Sequence, residues 1–275
     1  MELLTTKNGT KIADCGEFNL PLTLDCGQAF RWEKAEDGFF KGIAYGKETK
    51  VKFLDDGLFF KDTSEEDVRN IWINYFDIST DHNNIMKRLC QDEFINSAYS
   101  HFGGIRILNQ EPWETLCSFI ISSCNNIPRI KGIIKRLSEA YGTKAGEGFS
   151  FPSPEALAVK TEEELAFLRA GYRVPYILDA ARKVAEGETD FDYIKGLTED
   201  EARRELMKIK GVGKKVADCT LLFSLGFKDC YPVDRHIDRA TKRFYPDGIP
   251  EYFSPDRGLA QQYIFSYMLY INKDK

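Results

Sequence analysis

The chain has 275 residues, enough for one large domain or two smaller ones, each with a hydrophobic core. With 43% hydrophobic and 29% charged residues, it has the composition of a globular protein, not that of a membrane-spanning or disordered one. Its net charge of −5, taken over the whole chain, argues against a nucleic-acid partner. Locally the balance is reversed, because residues 201–247 hold eleven Lys and Arg against seven Asp and Glu, and residues 117–144 hold five against one. A basic face of limited extent can bind DNA phosphates.

The N-terminal part of the chain is predicted to form an antiparallel sheet. Short, aromatic-rich segments at 28–32, 39–45, 50–54 and 58–61 are typical of strands, and Asp37-Gly38 and Asp56-Gly57 are typical of hairpin turns. A helix is predicted to follow at Ser64-x-x-Asp67, with Val68 and Trp72 on its apolar stripe.

From about residue 106 onward the pattern is that of helices. Ile130, Ile133, Ile134, Leu137 and Tyr141 form an amphipathic stripe that ends at Gly142. Capping boxes are predicted at Thr161-x-x-Glu164 and Thr198-x-x-Glu201, and first-turn prolines at Pro112, Pro128, Pro154 and Pro175. The fold class is therefore α+β, with a β-rich domain and flanking helices over residues 1–105 and a helical domain over residues 106–275.

Cysteine and histidine usage argues against a metal centre and a secreted protein. The seven cysteines share no CxxC spacing, and the three histidines are scattered. The sequence shows neither a secretion signal nor an apolar run long enough to span a bilayer. We therefore expect reduced thiols in a cytoplasmic protein that associates with the nucleoid through DNA, does not bind membranes and is a monomer.

The segment 209–236, IKGVGKKVADCTLLFSLGFKDCYPVDRH, carries the strongest functional signal. One helix is predicted to end at Ile209, Gly211-Val212-Gly213 turns the chain, a second helix begins at Lys214, and Asp234 caps a third helix. A turn of this kind presents backbone N–H groups and a helix N-terminus, which suit a phosphate. Each feature alone is common in structural turns and exposed helix faces, but their order and spacing together indicate chemistry on a nucleic acid.

Lys215 is the candidate nucleophile of this segment. It shares a helical stripe with Cys219 and Leu222, and an amine on an apolar stripe loses hydration, which favours its reactive neutral form. Lys214 points about 100° away and is the better phosphate contact. The alternative is a pair of exposed lysines, since lysine side chains can extend to solvent.

These motifs identify the chain as resembling the 8-oxoguanine DNA glycosylase/lyases of the helix-hairpin-helix, Gly/Pro-Asp superfamily. The resemblance also takes in LDCGQAFRW near the N-terminus, FIISSCNNIPRI in the centre, AGYRVPY at 170–176 and LAQQYIFS near the C-terminus. It implies a bifunctional enzyme of base excision repair that binds double-stranded DNA and flips 8-oxoguanine out of the duplex. It would excise the base and cleave the strand by β-elimination.

The resemblance also implies roles for individual residues. Lys215 matches the lysine that attacks C1′ of the damaged nucleoside and forms a Schiff base, and Asp234 matches the aspartate that stabilises the cationic sugar. The carbonyl of Gly27 would accept the N7–H of 8-oxoguanine, a donor that guanine lacks. The remaining base-pocket positions are the two faces Cys219 and Phe265, the Watson–Crick reader Gln261, and Pro232.

Contacts to the DNA backbone are implied around the hairpin. Gly211, Gly213, Lys214 and His236 match phosphate contacts. No cofactor is required by the resemblance, although a sodium or potassium ion at the hairpin is a possibility. Its ligands would be the backbone carbonyls of Met207, Ile209 and Val212.

A second set of residues would face the strand opposite the lesion. Arg129 and Arg173 match the pair that reads the orphaned cytosine, and Tyr172 matches the wedge beside it, although such residues are also commonplace on surfaces. Where the family often has an asparagine that fills the hole left by the flipped base, this chain has Cys124, followed by Asn125. Cysteine is smaller and a poor hydrogen-bond partner, which leaves the stringency for cytosine open.

Three other functions agree less well with the sequence. Glycosylases of the same superfamily that carry an iron–sulfur cluster need four closely spaced C-terminal cysteines, whereas no cysteine follows Cys230. Alkylated-purine glycosylases share the aspartate but lack the lysine. A helix-hairpin-helix module that only binds DNA would give no reason for Lys215 and Asp234 to occur together.

Overall fold

The computed structural model describes residues 2–273, and it has a sheet domain followed by helices, as predicted. One six-stranded antiparallel sheet has the order β1-β2-β6-β5-β4-β3, and β7 and β8 form a separate small hairpin. The strands are β1 Glu2–Thr6, β2 Gly9–Ala13, β3 Glu33–Lys34, β4 Phe40–Ala44, β5 Lys47–Leu54, β6 Gly57–Lys61, β7 Lys144–Ala145 and β8 Gly148–Phe149.

Helices account for most of the remaining described chain. The early ones are α1 Leu20–Asp25, α2 Glu65–Asp67, α3 Ile73–Tyr75, α4 His82–Leu89 and α5 Glu93–Phe102, with a π-helical turn at Val68–Trp72. The later ones are α6 Pro112–Ser122, α7 Ile127–Tyr141, α8 Pro154–Ala158, α9 Val174–Ala185, α10 Phe191–Lys195, α11 Glu199–Leu206, α12 Lys214–Ser224, α13 Arg235–Phe244 and α14 Arg257–Lys273. Three short 3₁₀ segments lie at Ala166–Leu168, Gly171–Arg173 and Glu251–Phe253. Over residues 2–273, no helix has the length and apolar character that a membrane span requires.

Local sequence signals explain several helix boundaries. All four predicted prolines occupy the first turn of a helix, at the start of α6, α7, α8 and α9. Thr198 and Glu201 form the reciprocal capping box that begins α11. The helix predicted from the stripe at Ile130–Tyr141 is α7, and it ends at Tyr141 with Gly142 as C-cap, as expected.

The predicted strand at 28–32 is wrong. Gln28 is buried, and its side chain makes hydrogen bonds where a strand would pair through its backbone. The amide N–H groups donate to the carbonyls of Thr23 and Arg106 at 2.9 and 2.8 Å, and Oε1 accepts the N–H of Leu108 at 2.9 Å. The strand here is only Glu33–Lys34. The hairpin of β1 and β2 and the helix α1 were not predicted.

Three boundary predictions also need correction. The turn placed at Asp56-Gly57 lies one residue earlier, because Leu54 pairs with Gly57 and Asp55 adopts φ +55°. The capping-box contacts of Thr161 and Glu164 form, but only turns and the 3₁₀ segment Ala166–Leu168 follow them. Helix α11 ends at Leu206, three residues before the predicted end at Ile209.

Two hydrophobic cores hold the described chain together. The smaller lies under the sheet and is rich in aromatic rings, where the indole N–H of Trp32 donates to the hydroxyl of Tyr75 at 2.8 Å. The larger fills the helical region and also includes Cys26, Phe30 and residues of α4 and α5. The chain around residue 27 is thereby held against the helices, while the domain boundary at residue 105 stays a prediction.

Candidate active site

One small cavity brings the predicted chemistry together. It has a volume of about 50 Å³ and is enclosed by residues 26–27, α6, α12, the start of α13 and α14. All seven residues predicted for catalysis and the base pocket line it: Gly27, Lys215, Cys219, Pro232, Asp234, Gln261 and Phe265.

Lys215 lies on the first turn of α12 and projects into this cavity. Its half-buried amine donates a hydrogen bond to the hydroxyl of Ser122 at 3.1 Å and lies 4.7 Å from the ring centroid of Phe119. An ammonium above an aromatic face is attracted by the ring quadrupole. Lys214 is exposed, as the difference in direction between the two lysines predicted.

Asp234 is the N-cap of α13, as predicted. Its Oδ1 accepts hydrogen bonds from the backbone N–H groups of His236 and Ile237, both at 2.8 Å. These bonds hold the carboxylate in one orientation at the positive end of the helix dipole. A negative charge is therefore held at the wall of the cavity that also contains the Lys215 amine.

Opposite walls of the cavity come from Gly27 and Phe265. A β-carbon added to Gly27 would lie 3.5 Å from the Phe265 ring, and the backbone of Gly27 has φ +82°, which disfavours other residues. The His236 ring meets the Phe265 ring edge-to-face at a centroid distance of 6.0 Å. A substitution at Gly27 is therefore disfavoured by the backbone conformation, since the contact with Phe265 would be an ordinary van der Waals one.

The thiol of Cys219 forms a further part of the wall. Burial raises its pKa to about 11, although the nearby Lys215 amine acts in the opposite direction. The thiol is therefore neutral near pH 7 and offers a polarizable apolar surface. It does not compete with an amine as the nucleophile of the cavity.

The conformation of the hairpin before α12 depends on a close approach between its backbone and an aromatic ring. Gly211 has φ +80°, and a β-carbon there would fall 2.2 Å from the ring of Tyr176. Gly213 is the N-cap of α12 and is exposed. Arg203 of α11 holds the buried carboxylate of Asp218 in α12 at 2.5 Å, which fixes the two helices on either side of the turn.

The carbonyls predicted to bind a monovalent cation lie within this turn. The carbonyl of Ile209 accepts the N–H of Val212 at 3.1 Å, and the side chain of Met207 is exposed. Carbonyl oxygens are suitable ligands for hard cations. No cluster of three or more His, Cys, Asp or Glu suited to a metal ion occurs over residues 2–273.

The residues predicted to face the opposite strand adjoin one another outside the cavity. Cys124 is exposed in a left-handed conformation with φ +50°. The guanidinium of Arg173 is buried and donates to the carbonyls of Ser123, Ala170 and Cys124. The hydroxyl of Tyr172 also donates to the Ser123 carbonyl, at 3.2 Å.

Arg129 and Asn125 complete this group. Arg129 is exposed and donates to the carbonyl of Arg169 at 3.2 Å. Asn125 bonds within its own loop, donating to the carbonyl of Ile121 at 3.0 Å and accepting the N–H of Asn126 at 3.0 Å. In this structure Arg129 is therefore the more accessible of the two predicted arginines.

Sequence reasoning missed several residues of the cavity wall. Phe119 and Ser122 belong to a motif that was recognised, and their i, i+3 spacing on α6 puts both on one face, but nothing in the sequence connects that face with Lys215. Gln262 follows a predicted residue directly. The full set of missed wall and contact residues is Cys26, Phe119, Ser122, Phe223 and Gln262.

Two known protein families match successive parts of the chain. Residues 12–116 match the 8-oxoguanine DNA glycosylase N-terminal domain, and residues 117–249 match the HhH-GPD superfamily of base excision DNA repair proteins. The N-glycosylase/DNA lyase OGG1 of Arabidopsis thaliana is 30% identical over 84% of this chain and 67% of its own length. The N-glycosylase/DNA lyase of Saccharomyces cerevisiae is 42% identical over 52% of this chain, a match that spans only 42% of the yeast protein.

A solved structure resembles almost the entire chain. The 8-oxoguanine glycosylase/lyase of Clostridium acetobutylicum, in complex with double-stranded DNA containing cytosine opposite 8-oxoguanine, superposes with a TM-score of 0.92 at 35% identity. The superposition covers 99% of both chains. A 3-methyladenine DNA glycosylase of Archaeoglobus fulgidus shares the fold, with a TM-score of 0.75 at 18% identity.

Proposed function

Because the chain belongs to the 8-oxoguanine DNA glycosylase family of the HhH-GPD superfamily, we propose that Lys215 is its nucleophile, acting on 8-oxoguanine flipped from duplex DNA. The family assignment makes the protein a DNA glycosylase/lyase of base excision repair. One observation carries the proposal of mechanism: an amine and a carboxylate line the same small cavity, together with every residue predicted to hold the base.

The proposed reaction begins at C1′ of the flipped nucleotide. The neutral Lys215 amine attacks C1′, and the base departs with the electron pair of the glycosidic bond and takes up a proton. The amine nitrogen then loses a proton, and the C1′–O4′ bond opens as O4′ takes up a proton, which gives a protonated Schiff base. Loss of a C2′ proton expels the 3′ phosphate by β-elimination, and water releases the lysine.

Asp234 stabilises the positive charge that develops on the sugar as the base leaves. Its Oδ1 is occupied by the two backbone N–H groups of α13, so the carboxylate is held in place before the reaction begins. A charge that is already oriented needs no reorganisation in the transition state. The hydroxyl of Ser122 positions the attacking Lys215 amine through its hydrogen bond.

Base recognition rests on the two walls formed by Gly27 and Phe265. We assign the Gly27 carbonyl as acceptor of the N7–H of 8-oxoguanine, Phe265 and Cys219 as the two faces against the base, and Gln261 as reader of its Watson–Crick edge beside Pro232. Guanine lacks the N7–H, so it would leave the carbonyl unpaired, and a missing partner in a buried polar site is strongly discriminating.

The exposed hairpin would hold the DNA backbone. The N–H groups around Gly211 and Gly213 and the start of α12 favour a phosphate, and Lys214 and His236 add side-chain donors. A sodium or potassium ion held by the carbonyls of Met207, Ile209 and Val212 would add positive charge there.

Preference for cytosine opposite the lesion is assigned to the group around Cys124. Arg129 is exposed and would have to release one backbone carbonyl to turn toward a base, whereas the buried Arg173 would have to release three. We therefore assign the main reading role to Arg129, with Tyr172 as wedge and Cys124 or Asn125 near the vacated position. The enzyme is proposed to act as a cytoplasmic monomer without an iron–sulfur cluster.

Base release and strand cleavage on a duplex with 8-oxoguanine opposite cytosine test this mechanism. Native protein should release the base and nick the strand, and Lys215→Gln should do neither. Lys214→Gln should weaken DNA binding but still nick at saturating protein concentration. Base release by Lys215→Gln at the native rate would overturn the role of this lysine.

A further inference from the structure

Two consecutive glutamines form a polar relay in the wall of the cavity. Gln261 and Gln262 of α14 are 4% and 3% exposed. The amide nitrogen of Gln261 donates to the carbonyl of Pro232 at 3.1 Å, and the amide nitrogen of Gln262 donates to Oε1 of Gln261 at 2.7 Å. The second glutamine therefore acts on the first through a direct hydrogen bond.

Two hydrogen bonds hold the Gln261 amide, one at each end, and the carbonyl of Pro232 defines which end is the nitrogen. A carbonyl oxygen can only accept, so the NH₂ group of Gln261 must face it, and Oε1 of Gln261 must then face Gln262. Rotation of either amide by 180° would bring two oxygens together. Oε1 of Gln262 is left buried without a hydrogen-bond partner among the residues that the structure describes. Within the described chain, the side chain of Gln262 is thus held through its amide nitrogen, by the hydrogen bond to Gln261.

We propose that Gln262 is a positioning residue that fixes the Gln261 amide and thereby selects which base edge the pocket accepts. This inference rests on the proposed function, in which Gln261 reads the flipped base. Oε1 of Gln261 keeps a second lone pair, which suits the N1–H and exocyclic N–H donors of 8-oxoguanine. The unprotonated N1 of 8-oxoadenine is an acceptor and would meet this oxygen unfavourably.

Removal of the Gln262 amide should therefore reduce the preference of the enzyme for excising 8-oxoguanine over 8-oxoadenine. In Gln262→Leu, the Gln261 amide keeps its hydrogen bond to Pro232 but loses the one from Gln262, so its Oε1 is held less firmly. Single-turnover excision of 8-oxoguanine opposite cytosine should slow about tenfold, as expected for one lost hydrogen bond. Excision of 8-oxoadenine opposite cytosine should not slow. Borohydride trapping on DNA with a preformed abasic site should stay within about twofold of native, because that substrate has no base to read.

A second variant separates hydrogen bonding from space filling. Gln262→Glu keeps the size of the side chain, and its neutral acid can donate to Gln261 whereas its carboxylate cannot. Burial disfavours the charged form of the introduced carboxyl group, so the 8-oxoguanine excision rate of this variant, divided by the native rate, should fall as the pH is raised through the pKa of that group. A side chain that only fills space would give a ratio independent of pH.

Ser266→Ala is the matched control. Ser266 lies one turn further along α14, is also buried, and its hydroxyl likewise lacks a partner within the described chain. The control should leave the preference for 8-oxoguanine over 8-oxoadenine unchanged.

The experimental outcomes distinguish a failure of this inference from a failure of the proposed function. Native-like preference in both Gln262 variants, or loss of abasic-site trapping along with excision in both, would overturn the positioning role and leave the lysine mechanism standing. If native protein neither excises 8-oxoguanine nor forms an adduct, the proposed function fails and this inference fails with it.

Discussion

Ser122 is the side chain whose hydroxyl accepts a hydrogen bond from the Lys215 amine in the cavity. Ser122→Ala removes this acceptor, so the amine should sample more orientations and trapping on abasic-site DNA should slow about three- to tenfold. The rate at saturating DNA should fall while the apparent DNA affinity stays unchanged. The control is Ser123→Ala, whose hydroxyl contacts only the Phe119 carbonyl at 3.4 Å. Equal slowing in both variants would contradict the specific role of Ser122.

Asp234 combines a helix cap with a charge, and two substitutions separate them. Asp234→Asn keeps an oxygen for the N–H groups of His236 and Ile237 but removes the negative charge. It should change the free energy of unfolding by less than about 1 kcal/mol and slow base excision at least about a hundredfold. Asp234→Ala should add a loss of stability of about 1 kcal/mol. Urea unfolding and single-turnover excision measure the two effects, and an active Asp234→Asn would refute the electrostatic role.

At the residue scale, the sequence motifs name residues that the structure brings to one cavity, while the roles of these residues stay predictions. Lys215 follows a glycine turn and Asp234 is a helix cap, whereas Gln261 was named through the family resemblance alone. Ser122 and Gln262 could not be assigned, because their contacts with Lys215 and Gln261 depend on how α6 packs against α12 and on the position of Pro232.

At the scale of elements, the hairpin before α12 depends on the absence of a side chain at Gly211. Gly211→Ala would combine an unfavourable positive φ with a clash against Tyr176, whereas Gly226→Ala has nearly the same φ, +83°, with open space around it. We expect about 1 kcal/mol of destabilisation for Gly226→Ala and at least about 2 kcal/mol more for Gly211→Ala.

DNA affinity should distinguish the same two variants. Gly211→Ala displaces the N–H groups assigned to the phosphate, so its Kd for duplex DNA should rise, while Gly226→Ala should bind as native protein does. Denaturant unfolding and fluorescence anisotropy are the measurements. Equal stabilities and equal affinities for the two variants would mean that the contact with Tyr176 does not shape the hairpin.

Element prediction was accurate where local signals act alone and failed where distant partners decide. The first-turn prolines, the cap at Asp234 and α7 all agree with the sequence. The segment 28–32 has a strand-like composition, but Gln28 is bonded to residues near 106–108, about eighty positions away in the chain. No local pattern reports such a contact.

At the scale of the whole molecule, buried thiols predict a loss of stability in alkaline solution. Burial raises the pKa of Cys26 to about 12, that of Cys219 to about 11, and that of Cys117 well above its usual value. Unfolded thiols ionise near pH 8.5, so above that pH the unfolded state binds fewer protons than the folded one. The stabilisation is complete below about pH 8.5 and is lost as the pH rises through the folded-state pKa values.

The free energy of unfolding should therefore fall by about 1.4 kcal/mol per pH unit for each such thiol between about pH 9 and 10.5. Urea titrations across this range measure the slope, with Cys117→Ala as the comparison. The variant should show a slope shallower by the contribution of one thiol. An unchanged slope would contradict the assignment of Cys117 to the alkaline loss.

The whole-molecule arrangement was predictable only in outline. The order of sheet domain and helices follows from periodicity, but Gly27 reaches the cavity because Cys26 and Phe30 pack into the helical core, which periodicity does not reveal. The net charge of −5 likewise does not reveal the local basic excess, which is visible only when charges are counted segment by segment.

The central claim is that Lys215 forms the covalent link to DNA. The direct measurement is borohydride reduction during reaction with a duplex containing 8-oxoguanine opposite cytosine, followed by proteolysis and mass spectrometric location of the adduct. We predict an adduct on Lys215 that is absent from Lys215→Gln and retained in Lys214→Gln. An adduct on another amine, or base release by native protein with no adduct at all, would contradict the mechanism.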